Sequence, residues 1–343
     1  MIEIKPFRAL RYNPSKVSLP LVVTEPYDRI TPAMQDAYYN RDKYNIVRII
    51  LGKENDTEMP QISRYEAAKA LLEEWRKNKI LIRDEIPSFY VYEQEFSCGG
   101  ILKKRRGLVV RIKPEEFGSG NILPHENTFS KPMEDRLKLL SALNTHSEMI
   151  FALYQDKNRQ IDHAICFALK NAEQLYDFYD EDNFRHILYA LKDKDFISRI
   201  ADLFKDERLI IADGHHRYTA TLKFIDDIKN STGRYNPDAP YNYMPAALFS
   251  MQDPGIVVLP TFRLVRNLEC ISPEKFKKML KENFKVKEIP SNPVNAFKIM
   301  HDLQLEMKPG RFVFAAYLHG CLLYTSDAAD DLLCVDLGGR RII

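Results

Sequence analysis

The pentad Asp213-Gly214-His215-His216-Arg217 gathers a carboxylate, two imidazoles and a guanidinium at one corner of the chain, between the apolar run 208–212 and a helical pattern that starts at Gly214. A strand that stops at Asp-Gly and turns straight into a helix leaves several backbone N–H groups unpaired. Their partial positive charge suits an anion. Gly214 tolerates a positive φ and lets a ligand come close to the backbone. Arg217 lies one turn after Asp213, so both can face one site. The guanidinium can grip a phosphate in bidentate fashion, and the carboxylate can orient a histidine or hold a metal ion. His215 and His216 point about 100° apart on a helix, so they cannot share one ion as an H-x-x-x-H pair does. The competing structural reading makes Asp213 a helix cap that one of the histidines satisfies.

Two further clusters carry usable chemistry. In "LPHENTFSKPMEDRLKLL" (123–140), His125 and Glu126 sit just before a helix that Asn127, Thr128 or Ser130 can cap, with Asp135 and Arg136 in its first turn. A Glu beside a His on an irregular segment suits general acid–base work, because neighbours can move either pKa toward neutrality. The alternative is a cap whose acidic residues answer the helix dipole. In "TEPYDRIT" (24–31), Pro26 holds Glu25 extended and Asp28 precedes a cap at Thr31, which reads as a turn or as a third piece of a site.

The elements that must position these clusters alternate in kind. Thr31-Pro32 starts a helix to about residue 40, and Ser63 with Glu66 forms a capping box ahead of the helical face of Ala67, Ala68, Leu71, Leu72 and Trp75. Residues 132–144, 195–205 and 273–283 are further helices. Strands are expected at 44–51, 149–154, 164–169, 184–191, 208–212, 243–249, 256–265 and 311–318. Segments 88–96 and 107–112 make a hairpin, with the "KKRR" run at 103–106 in its solvated turn. The fold class is α/β or α+β, a mixed sheet with flanking helices. The softest internal boundary is the Gly-, Asn- and Pro-rich stretch 229–241.

Bulk properties fit this picture. With 45% hydrophobic and 29% charged residues and a net charge of +2, the 343-residue chain has the composition of a globular protein with a sizeable core. Near-neutral charge argues against a dedicated nucleic-acid binder. No run of 18 apolar residues predicts a membrane span, and the N-terminus has no apolar run behind a basic start. Five scattered cysteines without a CxxC pair fit a reducing cytoplasm.

The tail from 321 to 343 stands apart. It reads as a conceptual translation of a transposase-type sequencing-library adapter, with in-frame adapter codons for Cys321–Asp330 and again for Val335–Ile343. It is therefore expected to take no part in the fold. That leaves a main domain over 1–266, which carries all three clusters, and an incomplete C-terminal portion over 267–320.

Taken together, "IKPFRALRY", "PYDRIT", "YVYEQEF", "GLVVRI", "LPHENTFSKPMEDRLKLL", "FALYQD", "IIADGHHRYTATL" and "DPGIVVLPTFRLV" resemble the DUF1015 family of bacterial and archaeal proteins. Two features depart from it: Phe262 stands where the family usually has a histidine, and the family's C-terminal motif rich in Lys, Ser and aromatics is absent. More distantly, D-G-H-H-R is similar to the phosphate-contacting motif of the ParB/sulfiredoxin-like superfamily, which includes nucleotide-dependent kinases of free serine. That resemblance implies a ParB/sulfiredoxin-like element around 195–230, in which Gly214, His215, His216 and Arg217 cradle nucleotide phosphates. Asp213 would hold magnesium or orient the substrate, and Glu126 or else Asp28 would deprotonate a hydroxyl.

The leading expectation is thus a cytoplasmic phosphotransferase that uses ATP or ADP with Mg²⁺ on a small hydroxyl compound such as free serine. One alternative is a metal-dependent phosphatase or hydrolase built from His125, Glu126, Asp213 and His215. The other is a nucleotide-responsive nucleic-acid-binding or regulatory protein.

Overall fold

The computed structural model describes residues 1–54, 62–118, 120–233, 236–258, 271–289, 303, 305, 313–318 and 321–327. It divides into two compact units, Met1–Val258 and Leu259–Arg340.

The first unit is organised by a nine-stranded mixed sheet. Its strands are β1 (Ile4–Lys5), β4 (Phe89–Cys98), β5 (Ile101–Ile112), β6 (Ile122–Leu123), β7 (Ile150–Tyr154), β8 (Glu173–Tyr179), β9 (Arg185–Leu191), β10 (Leu209–Asp213) and β11 (Met244–Ser250). The order is β6-β10-β7-β11-β5-β4-β9-β8, with β1 added to β5. β6 with β10 and β7 with β11 run parallel, and the other pairs are antiparallel. β2 (Leu10–Tyr12) and β3 (Leu81–Arg83) form a separate ribbon. This confirms the mixed α/β expectation.

Strand alternation separates two cores. Leu108, Val110 and Ile112 of β5 pack on one face with Ile161, Ile165, Ile200, Phe204 and Tyr218. These come from α6 (Gln160–Ala168), α7 (Lys194–Phe204) and α8 (His215–Thr232). Val109 packs on the opposite face with Tyr90, Leu153, Ala212, Ala247 and Phe249. A third core joins α1 (Leu19–Val22), α3 (Val47–Ile50), α4 (Arg64–Lys77) and α5 (Ser130–Leu143) around Trp75, which is 1% exposed. α2 (Pro32–Arg41) starts at Thr31, whose hydroxyl accepts Met34 N–H, and α4 carries the full Ser63–Glu66 capping box.

In this unit four expectations change. Residues 44–51 hold the short helix α3 rather than a strand: buried Asn45 accepts Val47 N–H and donates to the Leu21 carbonyl, which turns the chain into a helical start. Residues 164–169 end the helix α6, whose first-turn N–H groups at Ile161 and Asp162 are taken by the Asp156 carboxylate. Both are short apolar runs whose periodicity cannot separate a buried strand from a buried helix. The "KKRR" run is not a turn. It lies inside β5, paired residue for residue with 93–96, and the turn is Gly99-Gly100, both at positive φ. α5 is not capped by Asn127, Thr128 or Ser130; its N-cap is Phe129, with no side-chain cap bond.

In the second unit, α9 (Pro273–Asn283) forms where a helix is expected, and Ser272 caps it. β12 (Phe284–Ile289), β13 (Val313–Leu318) and β14 (Cys321–Asp327) form an antiparallel sheet in the order β12-β14-β13. The tail expected to stay out of the fold therefore supplies the central strand of this sheet. "LLYT" has the β-branched and aromatic content that favours a ladder. Most of the 256–265 segment, Phe262 included, lies outside the described residues, as do Cys270 and His301.

Candidate functional site

The site forms at the carboxyl end of β10, the place where open α/β sheets present loops to ligands. β10 is flanked there by parallel β6 and antiparallel β7, and its register breaks between Ile211 and Asp213. Gly214 then takes φ 96 as the N-cap of α8 and makes no side-chain cap bond. A Cβ there would lie 3.0 Å from Ile150 Cγ2 and 3.1 Å from the Arg217 guanidinium, so both the dihedral and the space favour glycine. Asp213 is not the cap. It forms an ion pair with Arg217 across one helical turn, and the other end of that guanidinium reaches the Met149 carbonyl.

The short pairing of β6 with β10 delivers the 124–129 loop to the same end. His125 Nδ1 lies 2.6 Å from the Ile211 carbonyl. A carbonyl only accepts, so Nδ1 carries the proton, and in the neutral ring Nε2 keeps its lone pair on an exposed side chain. His125 N–H donates to His215 Nε2 at 3.2 Å, and Phe129 N–H donates to His216 Nε2 at 3.1 Å. The two histidines diverge, as helical neighbours must, and each fastens one end of the loop. This use of the pair is not visible in the sequence.

His215 is fully buried. Burial chiefly, helped by the nearby His125, pushes its pKa down to about 4, so it is neutral near pH 7. Its Nε2 is an acceptor, which puts the proton on Nδ1. That atom lies 3.1 Å from Glu126 Oε1 but off the line of a hydrogen bond, so the contact is electrostatic. His125, Glu126 and His215 together bring three ligand-type atoms within 4.8 Å of one another. A metal on His215 Nδ1 would have to displace that proton. The ring would then need its proton on Nε2, facing the N–H of His125, so the tautomer opposes a metal here.

The third cluster joins through charge. Asp28 lies in the turn Tyr27–Arg29, and Asp28, Glu148 and Asp213 raise the pKa of Arg217 against the opposing effect of burial. Tyr27 sits over Arg136 at 3.8 Å, and burial pushes its hydroxyl up to about 12. Arg136, 5% exposed, donates to Asp135 and Glu148 and to the Ile50 carbonyl, each at 3.0 Å. Burial opposes the ionisation of Asp135, but Arg136, Tyr65 and Arg64 still hold its carboxyl below the usual range.

Every residue singled out from the sequence thus reaches this one region: His125, Glu126, Asp213, Gly214, His215, His216 and Arg217 directly, and Asp28 through the field of Arg217. Glu148 and Tyr27 were missed. Glu148 follows a short turn and precedes an apolar run, and nothing in that spacing marks it.

The family model described as "Protein of unknown function (DUF1015)" matches residues 4–331. The chain belongs to that family. In this DUF1015 chain the match spans all three clusters and runs through β14. No curated protein and no solved structure matches the chain. No helix among the described residues is long and apolar enough to cross a membrane.

Proposed function

We propose that the chain is a nucleotide-dependent phosphotransferase acting on a small hydroxyl compound, with ATP or ADP as donor and free serine as the first acceptor to try. The observation that carries this reading is the start of α8. An 18-residue helix begins at a glycine that cannot cap it, directly behind a strand end, with Arg217 in its first turn. The N–H groups of that turn and the positive end of the helix dipole suit the phosphates of a nucleotide. The likeness of D-G-H-H-R to the phosphate motif of the ParB/sulfiredoxin-like superfamily points the same way.

In this reading Arg217 exchanges Asp213 and the Met149 carbonyl for phosphate oxygens. Asp213, 35% exposed, is then free to hold Mg²⁺, which would screen phosphate charge. Glu126, steadied by neutral His215, takes the proton of the acceptor hydroxyl as that oxygen bonds to the terminal phosphorus. The bond to the departing nucleotide breaks, leaving ADP from ATP or AMP from ADP. Asp28 is the second candidate for the base. The loop 124–129, clipped by both histidines, holds Glu126 in place.

Glu126→Gln should keep nucleotide binding and lose turnover by roughly 10²- to 10⁴-fold, the usual range for a general base, followed by ³¹P NMR with serine and other small alcohols. Equal loss of binding and turnover would remove Glu126 from the chemistry. A second reading, a metal-dependent hydrolase, has the grouping of His125, Glu126 and His215 in its favour and the tautomer of His215 against it. Stoichiometric zinc or manganese in the purified protein, lost in His215→Gln, would replace the kinase reading with that one.

A further inference from the structure

A second arginine, remote in sequence from the α8 corner, is buried without an acidic hydrogen-bond partner. Arg105 of β5 pairs with Gln94 of β4, and Gln94 with His186 of β9, so the three lie in one row on one face of the sheet. Arg105 is 9% exposed. It donates Nε and Nη2 to Gln94 Oε1, while Nη1 is buried with no hydrogen-bond partner. The rings of Phe96, Phe151 and Phe249 stand 5.3, 5.6 and 5.8 Å from the guanidinium. Gly107 makes room for this arrangement, because a Cβ there would lie 2.4 Å from the Phe249 ring.

The nearby carboxylates are committed elsewhere. Glu93 points to the opposite face, where it pairs with Lys104 and Arg106. Asp253 lies within electrostatic reach of Arg105, but its two oxygens accept the N–H groups of Arg106 at 2.8 Å and Gly255 at 2.7 Å. Burial lowers the Arg105 pKa, and the more distant Asp253 charge only partly offsets it. A buried donor left unsatisfied in this way is uncommon and calls for an acceptor.

Beside it stands a fixed polar chain. His186 Nε2 lies 2.9 Å from Asp180 Oδ2 and its Nδ1 lies 2.5 Å from the Tyr92 hydroxyl. In the neutral ring Nε2–H donates to the carboxylate, so Nδ1 accepts and the Tyr92 hydroxyl donates. The Tyr92 oxygen therefore remains an acceptor, within electrostatic reach of Arg105.

We propose that Arg105 and Tyr92, walled by Phe96, Phe151 and Phe249, form a second binding site, for a small oxyanion: the carboxylate or phosphate group of a small molecule. Arg105 Nη1 supplies the charged donor, and the Tyr92 oxygen accepts from a hydroxyl or ammonium group beside the anion. The Asp253–Gly255 turn lies against β5 beside Arg105. Arg106 N–H holds Asp253, Lys103 Nζ reaches the Pro254 carbonyl at 3.3 Å, and Gly255 rests on the Lys104 carbonyl, where a Cβ would lie 2.1 Å away. Entry of the anion requires this turn to lift. The site stands independently of the phosphotransferase reading.

The test is calorimetric titration of inorganic phosphate, and separately of acetate, into the full chain, Arg105→Met and Arg217→Met. At least one anion should show a binding event that Arg105→Met weakens by about 10-fold or more, as expected for a lost charged hydrogen bond, and that Arg217→Met keeps. Phosphate alone or acetate alone would identify which oxyanion the site takes. Hydrogen exchange on the unsubstituted chain gives a second readout, in which the bound anion slows exchange in 103–106 and 251–258. The proposal is overturned if neither anion binds the parent, if Arg105→Met binds as the parent does, or if exchange in those segments does not change.

Discussion

Arg136 and Arg105 are both buried cations, and they are treated in opposite ways. Arg136 touches two carboxylates and a carbonyl, with Tyr27 over its face. Arg105 has one amide oxygen and three phenyl rings. Burying a charge is tolerable when hydrogen bonds and opposite charge replace water. Arg136 meets that condition and ties α5 to the Tyr27 turn and to the Glu148 side of the α8 corner. Arg105 does not meet it, and its spare donor is the group that the proposed oxyanion would satisfy. The degree of satisfaction, more than burial itself, separates a structural hub from a binding group.

The largest effect should come from breaking the satisfied hub. Arg136→Met takes the ion pair from half-buried Glu148 and leaves half-buried Asp135 to Arg64 and Tyr65 alone, and should lower stability by about 3 kcal/mol, read from urea melts. A loss under about 1 kcal/mol would mean that the carboxylates find water and that the hub is not the link described. Next in size is Gly214→Ala. Positive φ and the contacts with Ile150 and Arg217 should make it cost about 1–3 kcal/mol in the same melts, and it should distort the anion-ready corner as well.

The buried histidine predicts a pH dependence. His215 is held down to about 4, below the ordinary value of about 6.5. Between those values the unfolded chain binds the proton and the folded chain does not. The stability due to neutral His215 is therefore complete above about pH 6.5 and is lost as pH falls toward the folded value. His146, also pushed down to about 4 by burial, acts with the same sign. The steeper loss of the parent relative to His215→Gln in urea melts from pH 7 to 4 isolates the His215 share; parallel curves would rule it out. The smallest effect sharpens the comparison. Arg105→Met should change stability by no more than about 1 kcal/mol, because it removes a poorly compensated charge together with its two hydrogen bonds to one amide oxygen. A loss as large as that of Arg136→Met would show that Arg105 serves structure alone.

Much of this was legible in the residues. Thr31-Pro32 and Ser63 with Glu66 marked helix starts because side-chain caps act locally. The D-G-H-H-R corner announced its backbone geometry for the same reason. The helices at 47–50 and 160–168 were hidden, since their apolar runs fit either period until Asn45 and Asp156 supply the capping bonds. β8 was missed because its polar sequence has no clear alternation. The three clusters were visible one by one, but their meeting depends on the parallel register of β6 with β10. The row joining Arg105 to Gln94 and His186 exists only across three strands, so no local pattern could reveal it.

The measurement closest to the central claim is calorimetric titration of ATP and ADP, with and without Mg²⁺, into the full chain, Arg217→Ala and Arg105→Met. At least one nucleotide should bind the parent, Arg217→Ala should abolish or sharply weaken this binding, and Arg105→Met should leave it in place. Failure of both nucleotides to bind, or unchanged binding in Arg217→Ala, would contradict it.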